Sequence, residues 1–131
     1  MRRRLNNHSK VKNITLKISA RIFVLSFVTR PAFQTAFPAG MSAQAFVDQL
    51  DARAGVVLSS SEKQNLVNAL SVSPASADLR AATLRAFAAN SNLQQREFNK
   101  AFVLMQYYGY LHRDPDAAPD TNFAGWQFWL D

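Results

Sequence analysis

The chain has 131 residues, 48% of them hydrophobic, which is enough for one ordinary domain with a buried core. It contains no cysteine, so disulfides, thiol catalysis and thiolate metal sites are excluded. The formal net charge is +6, but residues 1–30 carry eight basic and no acidic residues, whereas residues 31–131 carry seven basic and nine acidic ones. The basic character therefore belongs to the N-terminal end and not to the rest of the chain.

Residues 1–26 are predicted to be a basic leader that includes an amphipathic helix. We expect this helix to pack on the domain; a signal peptide and a helix lying on a membrane surface are the alternatives. Arg21 and Arg30 leave no run of about twenty apolar residues, which argues against a transmembrane span. The apolar face is predicted from residues that recur at spacings of three and four: Ile14, Ile18, Ile22, Leu25 and Val28.

Residues 27–131 are predicted to form one all-α domain, a small irregular bundle of about five to six helices. Pro31 and Pro38 disfavour a continuous helix, so we expect an irregular connector that places Phe33 and Phe37 on the core. A helix is then expected to begin after Ser42, because serine is a favoured N-cap residue.

Further helix ends are marked by short polar residues and glycine. Gly55 fits the position just beyond the first of these helices. Ser59 and Glu62 have the spacing of a capping box, which predicts a helix over about residues 60–70. A third helix is predicted over about residues 78–90, and its Arg80 and Arg85 are expected to extend into water.

The stretch 93–111 is predicted to be the central helix of the bundle. Nine of the fifteen aromatic residues lie between Phe98 and Leu130, and from Phe98 to Leu111 nearly every position is apolar or aromatic. A helix that is apolar all round is usually surrounded by other elements, so we expect the core to lie here. Gly109 inside this helix is expected to mark a close backbone crossing.

The loop that follows invites a comparison with calcium-binding loops, because it contains Asp114, Asp116 and Asp120. The comparison fails in detail: counted from Asp114, the glycine required at position six is Pro119, and the glutamate required at position twelve is Gly125. Turn chemistry explains the same residue types, since Asp-Pro favours a turn. The loop is therefore expected to be structural.

Specific partners can be predicted inside this loop. Arg113 is expected to form an ion pair with Asp114 or Asp116, and Asp120 or Asn122 is expected to cap a helix that begins near residue 123. His112, at the end of the central helix, has no second polar partner nearby in the sequence, so no catalytic role is predicted for it.

The last aromatic cluster follows a helical spacing. Phe123, Trp126 and Leu130 are related by steps of three and four, so they are expected to face inward with Trp129 beside them. The alternative is an exposed aromatic platform that binds a glycan or a peptide.

Two stretches near the C-terminal end carry a resemblance to a known family. Residues 110–116 read Tyr-Leu-His-Arg-Asp-Pro-Asp, and residues 125–130 read Gly-Trp-Gln-Phe-Trp-Leu. Together they resemble the signature of the bacterial domain-of-unknown-function family 4214, and residues 96–107 resemble the helix that precedes it in a subgroup. The resemblance covers about residues 27–130. It implies a small all-helical module, often repeated or attached to large secreted or surface proteins, with no established activity.

The chain departs from the family pattern at two points. The spacer from Asp116 to Gly125 is longer than the commonest form, and the family pattern continues into further leucine-rich helix where this sequence stops at Asp131. We therefore expect a fragment that is incomplete at its C-terminal end. The residues predicted to carry the motif, structurally or as ligand contacts, are Tyr110, Arg113, Asp114, Asp116, Asp120, Gly125, Trp126 and Trp129.

These observations predict a non-enzymatic structural or interaction module of a larger secreted or cell-surface bacterial protein. Its expected partners are proteins or adjoining domains, and no catalytic, cofactor or metal residues are predicted. The alternative is a glycan- or calcium-binding module that uses the Arg113–Asp120 loop and the Trp126/Trp129 cluster. A second alternative is contact of the basic leader with nucleic acid or anionic membrane. No convincing signal peptide is recognised, which leaves a cytoplasmic location open.

Overall fold

The computed structural model describes residues 18–130, and this part of the chain is all-α, as predicted. No strand occurs in the described range. Helix α6 continues directly into a five-residue π-helix. In chain order the elements are α1 (18–28), α2 (Pro31–Ala36), α3 (Ala43–Ala54), α4 (Ser60–Ser71), α5 (Ala77–Ala88), α6 (Ser91–Gln106), the π-helix (Tyr107–Leu111) and α7 (Ala124–Phe128).

The chain divides into two compact units between Ala89 and Asn90. We call the described residues 18–89 the N-terminal unit and residues 90–130 the C-terminal unit. This division falls inside the segment 27–131 that was predicted to be one domain. The predicted boundary between leader and domain at residue 26 lies within α1, and the leader itself stays a prediction because residues 1–17 lie outside the described range.

The helix ends follow the predicted capping chemistry. The side chains of Ser42 and Asn90 each accept a hydrogen bond from the backbone N–H three residues further on. Ser59 and Glu62 form the predicted capping box, with Ser59 N–H donating to Glu62 Oε2 at 2.9 Å. Gly55 has the left-handed φ of 85° that ends α3, a conformation that glycine adopts without the steric cost of a Cβ.

Three phenylalanine rings form the centre of the N-terminal unit. The Phe33 and Phe37 rings stack with centroids 4.7 Å apart, and the Phe37 and Phe46 centroids are 5.0 Å apart. The prediction that Phe33 and Phe37 lie on the core is confirmed; the irregular path predicted for this segment is wrong for Pro31–Ala36, which form α2, and is confirmed for residues 37–42. Pro31 occupies the first position of α2, where its missing N–H costs no hydrogen bond and its fixed φ favours the helix.

Helix α1 is packed only towards its C-terminal end. Val28 is buried, and Arg21 of α1 forms an exposed ion pair with Asp78 of α5 at 3.2 Å. Ile18 and Ile22 of the predicted apolar face are exposed, and Ile14 lies outside the described residues. The expected packing of this helix is therefore confirmed for its last turn and is wrong for the turns before it.

Arg80 is buried, which contradicts the prediction that it extends into water. Its side chain is 5% exposed, and its guanidinium lies 5.1 Å from the centroid of the Phe46 ring. Its nitrogens donate to the carbonyl oxygens of Pro74, Phe37 and Pro38 at 2.7, 2.6 and 2.8 Å. The arginine stays inside because α5 lies beside the chain segment after α2, whose free carbonyls need donors. Burial lowers the pKa of Arg80 from its ordinary value.

A buried carboxylate holds the turn after α3. Asp51 is 1% exposed, and its Oδ1 accepts from the N–H groups of Val57 and Leu58 at 2.8 and 3.0 Å. Its Oδ2 makes no hydrogen bond of standard geometry in the described structure, and the ammonium of Lys63 lies 3.0 Å from it. Val56, inside this turn, has a φ of 59°, a strained conformation for a β-branched residue.

The predicted central helix is not surrounded. In the C-terminal unit the only buried apolar residues are Val103, Tyr107 and Pro115 of the loop, whereas Phe98, Phe102 and Met105 of α6 are exposed. A helix that is apolar all round is surrounded only where enough other elements cover it, and this unit offers one loop and the short α7. The prediction for Gly109 is also wrong, because a Cβ built there would meet no atom within 4 Å.

Candidate functional site

The chain reverses direction just after the π-helix. His112 ends this helix in a left-handed conformation, with a φ of 51°, and its N–H donates to the carbonyl of Tyr107. π-helical turns are frequent at functional sites because they change the direction in which side chains project. Here the reversal brings the residues after His112 back to the Tyr107 ring.

Arg113 is the centre of the loop that follows. Its Nη1 donates to the carbonyl of Ala117, and its Nη2 donates to Asp120 Oδ2, both at 2.6 Å. Its guanidinium carbon lies 5.2 Å from the centroid of the Tyr107 ring. The predicted pairing of Arg113 with Asp114 or Asp116 is therefore wrong. Because one arginine holds two points of the loop and one ring, the loop has a defined conformation.

The remaining acidic residues of the loop have separate roles. Asp114 accepts a hydrogen bond from the Tyr108 hydroxyl at 2.9 Å, and this hydrogen bond raises the pKa of Tyr108. Asp116 is exposed. Of the two residues predicted to cap the last helix, Asn122 accepts from the N–H of Ala124 at 2.8 Å, whereas Asp120 binds Arg113.

Gly125 allows α7 to approach the loop and the Tyr107 ring. A Cβ at this position would lie 2.9 Å from the Tyr107 hydroxyl and 3.1 Å from Asp120 Oδ2. Tyr107 was missing from the predicted motif residues although it contacts two of them. No local sequence signal identifies it, because its contacts with Arg113 and Gly125 arise only from the chain reversal.

The two tryptophans differ in exposure. Trp126 is half-buried against Phe123, with ring centroids 6.1 Å apart, and its indole Nε1 is buried without a hydrogen-bond partner among the described residues. Trp129 is 70% exposed, and Phe123 is also exposed. The prediction that Phe123 and Trp129 face inward is wrong, since no described element covers that side of the five-residue α7.

An open groove lies between α6, the π-helix and the chain end. Its volume is about 560 Å³, within the range of ligand-binding pockets. The amide side chains of Asn99 and Gln106 line it alongside the apolar residues, and none of the lining residues is charged. We call this site the aromatic groove; its apolar walls are Phe102, Val103, Tyr107, Tyr110, Leu111 and Trp129.

Five of the eight predicted motif residues thus lie at two neighbouring places. Arg113, Asp120 and Gly125 form the support behind Tyr107, whereas Tyr110 and Trp129 line the aromatic groove. Asn99 and Gln106 are seven positions apart, which places them on the same side of a helix. This spacing is the sequence signal that could have indicated the polar residues of the groove. The groove offers aromatic ring faces that can stack on a ligand and two amides that can form hydrogen bonds with it.

The described residues contain no group of three or more His, Cys, Asp or Glu side chains arranged to hold a metal ion. The two best-placed carboxylates are engaged, Asp120 with Arg113 and Asp114 with Tyr108. None of the helices within residues 18–130 has the length and apolar content needed to cross a membrane.

Comparison of the chain with protein-family models, with curated proteins and with solved structures gives no match. The resemblance to family 4214 therefore stays a prediction from the motif residues.

Proposed function

We propose that the chain is a non-enzymatic interaction module whose C-terminal unit binds a protein through the aromatic groove. One observation carries the proposal: of the sixteen large apolar side chains exposed in the described residues, ten belong to the C-terminal unit. Contiguous exposed apolar surface on a folded protein is typical of interaction sites, whereas single exposed residues need no explanation.

The geometry behind the groove supports this proposal. Arg113 fixes the loop through Ala117 and Asp120, and Gly125 lets α7 lie close to Tyr107. One wall of the groove is therefore held in place before any partner arrives. A preformed wall lowers the entropy that binding would otherwise cost.

The partner is a separate protein or an adjoining domain of a longer chain. The resemblance to family 4214 supports the same proposal, because modules of that kind are attached to larger secreted or surface proteins. A secreted or cell-surface location belongs to the proposal for the same reason.

Photocrosslinking tests the site directly. A photoreactive residue is placed at Tyr110, which is 79% exposed at the groove, and as a control at the exposed Gln64 of α4. We expect discrete protein adducts in the native cells from position 110 and none from position 64. Replacing Trp129 by serine should reduce the adducts. Equal labelling at both positions, or none at position 110, would contradict the proposal.

A glycan is the second candidate ligand, because the exposed rings of Tyr110 and Trp129 lie beside the amides of Asn99 and Gln106. Ring faces can stack on sugars while amides bind hydroxyl groups. In a Trp126→Phe variant, Trp129 is the only fluorescent indole. Titration with millimolar cellohexaose or chitohexaose should shift its emission; an unchanged spectrum removes this candidate.

The calcium alternative gains no support from the described residues and is not proposed. The leader alternative concerns residues 1–26, of which residues 1–17 lie outside the described range, and it stays a prediction. Salt-sensitive binding of anionic vesicles or DNA that disappears when residues 1–17 are deleted would support it. Deletion should stop there, because Val28 is part of the core of the N-terminal unit.

A further inference from the structure

We infer that the partner of the aromatic groove is a second copy of this chain, an inference that rests on the proposed function. The two copies would form an isologous dimer, in which the same surface of each copy contacts the other. The surface consists of an exposed stripe on α6 together with the groove beside it. Phe102 belongs to both.

The stripe has the spacing of a helix-pairing seam. Phe98, Phe102 and Met105 follow one another at steps of four and three, which is the d–a–d pattern of residues that pack between helices. All three are exposed, and the Phe98 and Phe102 rings stack with centroids 6.4 Å apart. These three large side chains form a seam two helical turns long, and no element within residues 18–130 covers it.

The flanks of the stripe favour pairing of like with like. Self-pairing brings the flanks of one copy against the same flanks of the other, so flanks that carried charge of a single sign would repel. Here the charged Glu97 and Lys100 lie off the seam and bind each other at 2.8 Å. All flanking positions that meet a partner helix are uncharged: Gln94, Asn99, Ala101, Gln106 and Tyr108.

The area also fits a stable dimer. The stripe and the exposed groove residues Tyr110, Leu111 and Trp129 offer six large side chains, each about half to four-fifths exposed. Since an aromatic side chain buries roughly 150–250 Å² in full, the six would remove about 700 Å² from each copy. A standard stable interface takes about 800 Å² from each partner. Side chains of the stripe on one copy would fill the groove of the other.

Two substitutions of the same residue type test this inference. Phe98 on the stripe and Phe23 of α1 are both 63% exposed, so Phe98→Asp and Phe23→Asp are matched in chemistry and in exposure. Sedimentation velocity of the full chain should show a concentration-dependent dimer. We expect Phe98→Asp to weaken dimerisation by about tenfold or more, and Phe23→Asp to leave it unchanged.

A second measurement uses the tryptophans, which both belong to the C-terminal unit. Their emission should shift to shorter wavelength as the wild-type dimer forms, and Phe98→Asp should move this shift to about tenfold or more higher protein concentration, at equal helix content by far-UV circular dichroism. A wild-type chain that stays monomeric at about 100 μM would overturn the inference. A dimer that survives Phe98→Asp and Met105→Asp would also overturn it.

Crosslinks from position 110 separate this inference from the proposed function. Adducts of twice the chain mass support both. If the adducts have another mass and the purified chain is monomeric, the inference that the partner is a second copy is overturned, whereas the proposed function still holds. A monomeric chain without adducts overturns both.

Discussion

The two units of this chain use apolar side chains in opposite ways. Within residues 18–130, twelve of the fifteen buried apolar residues belong to the N-terminal unit, whereas ten of the sixteen exposed large ones belong to the shorter C-terminal unit. The C-terminal unit nevertheless contains every tyrosine and both tryptophans. Aromatic content therefore does not locate the core; the number of elements available to cover the rings does.

The difference follows from the elements of each unit. The N-terminal unit contains three helices of twelve residues, α3, α4 and α5, and each can cover a face of its neighbours. The C-terminal unit contains one long helix with its π-helical extension, a loop and a five-residue helix. Substitutions in the two units are therefore expected to change stability by different amounts.

The largest effect is expected at Arg80, which joins α5 to the carbonyls after α2. Arg80→Met removes the donors of three partly buried carbonyl oxygens, so we expect a loss of about 3 kcal/mol in the free energy of unfolding. Urea unfolding followed by far-UV circular dichroism measures it. Arg85→Met, at an exposed site of the same helix, should change stability by less than about 0.5 kcal/mol. Similar losses of stability at both sites would contradict the proposal that the buried hydrogen bonds of Arg80 stabilise the N-terminal unit.

A smaller effect is expected at Asp51. Burial raises the pKa of its carboxyl, but the hydrogen bonds from Leu58 and Val57 and the ammonium of Lys63 outweigh it, so the pKa is lowered. Asp51→Asn removes a charged acceptor from the turn after α3, and we expect a loss of about 2 kcal/mol at neutral pH.

The lowered pKa of Asp51 also sets a pH dependence. The unfolded chain binds a proton at Asp51 more readily than the folded chain, so stability is present above the ordinary aspartate pKa of about 3.9 and falls as the pH drops below it. Wild-type stability should therefore fall by more than that of Asp51→Asn as the pH is lowered below about 4. Parallel pH profiles of the two proteins would show that Asp51 is not the group responsible.

In the C-terminal unit the expected effect is smaller again. Gly125→Ala places a Cβ 2.9 Å from the hydroxyl of the buried Tyr107, so we expect about 1 kcal/mol of destabilisation after the gain in helix propensity. Unfolding followed by tryptophan emission reports on this unit alone. Gly40→Ala, where a Cβ would meet no atom within 4 Å, is the control and should be close to neutral. A neutral Gly125→Ala would mean that α7 is not held against the Tyr107 ring.

The smallest effect is a gain in stability. Val56 is exposed with a φ of 59°, and asparagine tolerates this conformation better than a β-branched residue. We expect Val56→Asn to raise the melting temperature, by a stabilisation of about 1 kcal/mol. Val72→Asn is the control, because Val72 is also well exposed, at 83% against 71% for Val56, but has a helical φ of −59°. A melting temperature that rises equally in both variants would exclude relief of strain at Val56.

Much of the secondary structure could be predicted from the sequence because helix ends depend on local chemistry. Ser42, Gly55, and Ser59 with Glu62 act where their types and spacings indicated. Burial could not be predicted in the same way, because it depends on which elements meet. The nearly continuous apolar composition of residues 98–111 predicted an enclosed helix, but composition does not tell which elements are available to cover it.

The candidate site shows the same limit. The motif indicated Arg113, Asp120 and Gly125. It did not indicate Tyr107, because the contacts of Tyr107 with Arg113 and Gly125 depend on the chain reversal at His112. Buried polar residues escape sequence patterns for a related reason. The sequence pattern of an amphipathic helix predicts that a single arginine such as Arg80 is exposed. Only the structure shows the carbonyl oxygens that accept its hydrogen bonds.

One paired measurement tests the contrast between the two units most directly. Phe46, completely buried, and Phe98, 63% exposed, are each replaced by alanine, and the free energy of unfolding is measured at the lowest protein concentration that the signal allows. We expect Phe46→Ala to cost about 3–5 kcal/mol and Phe98→Ala less than about 1 kcal/mol. Equal losses, or a larger loss at Phe98, would contradict a core in the N-terminal unit and a docking surface on α6.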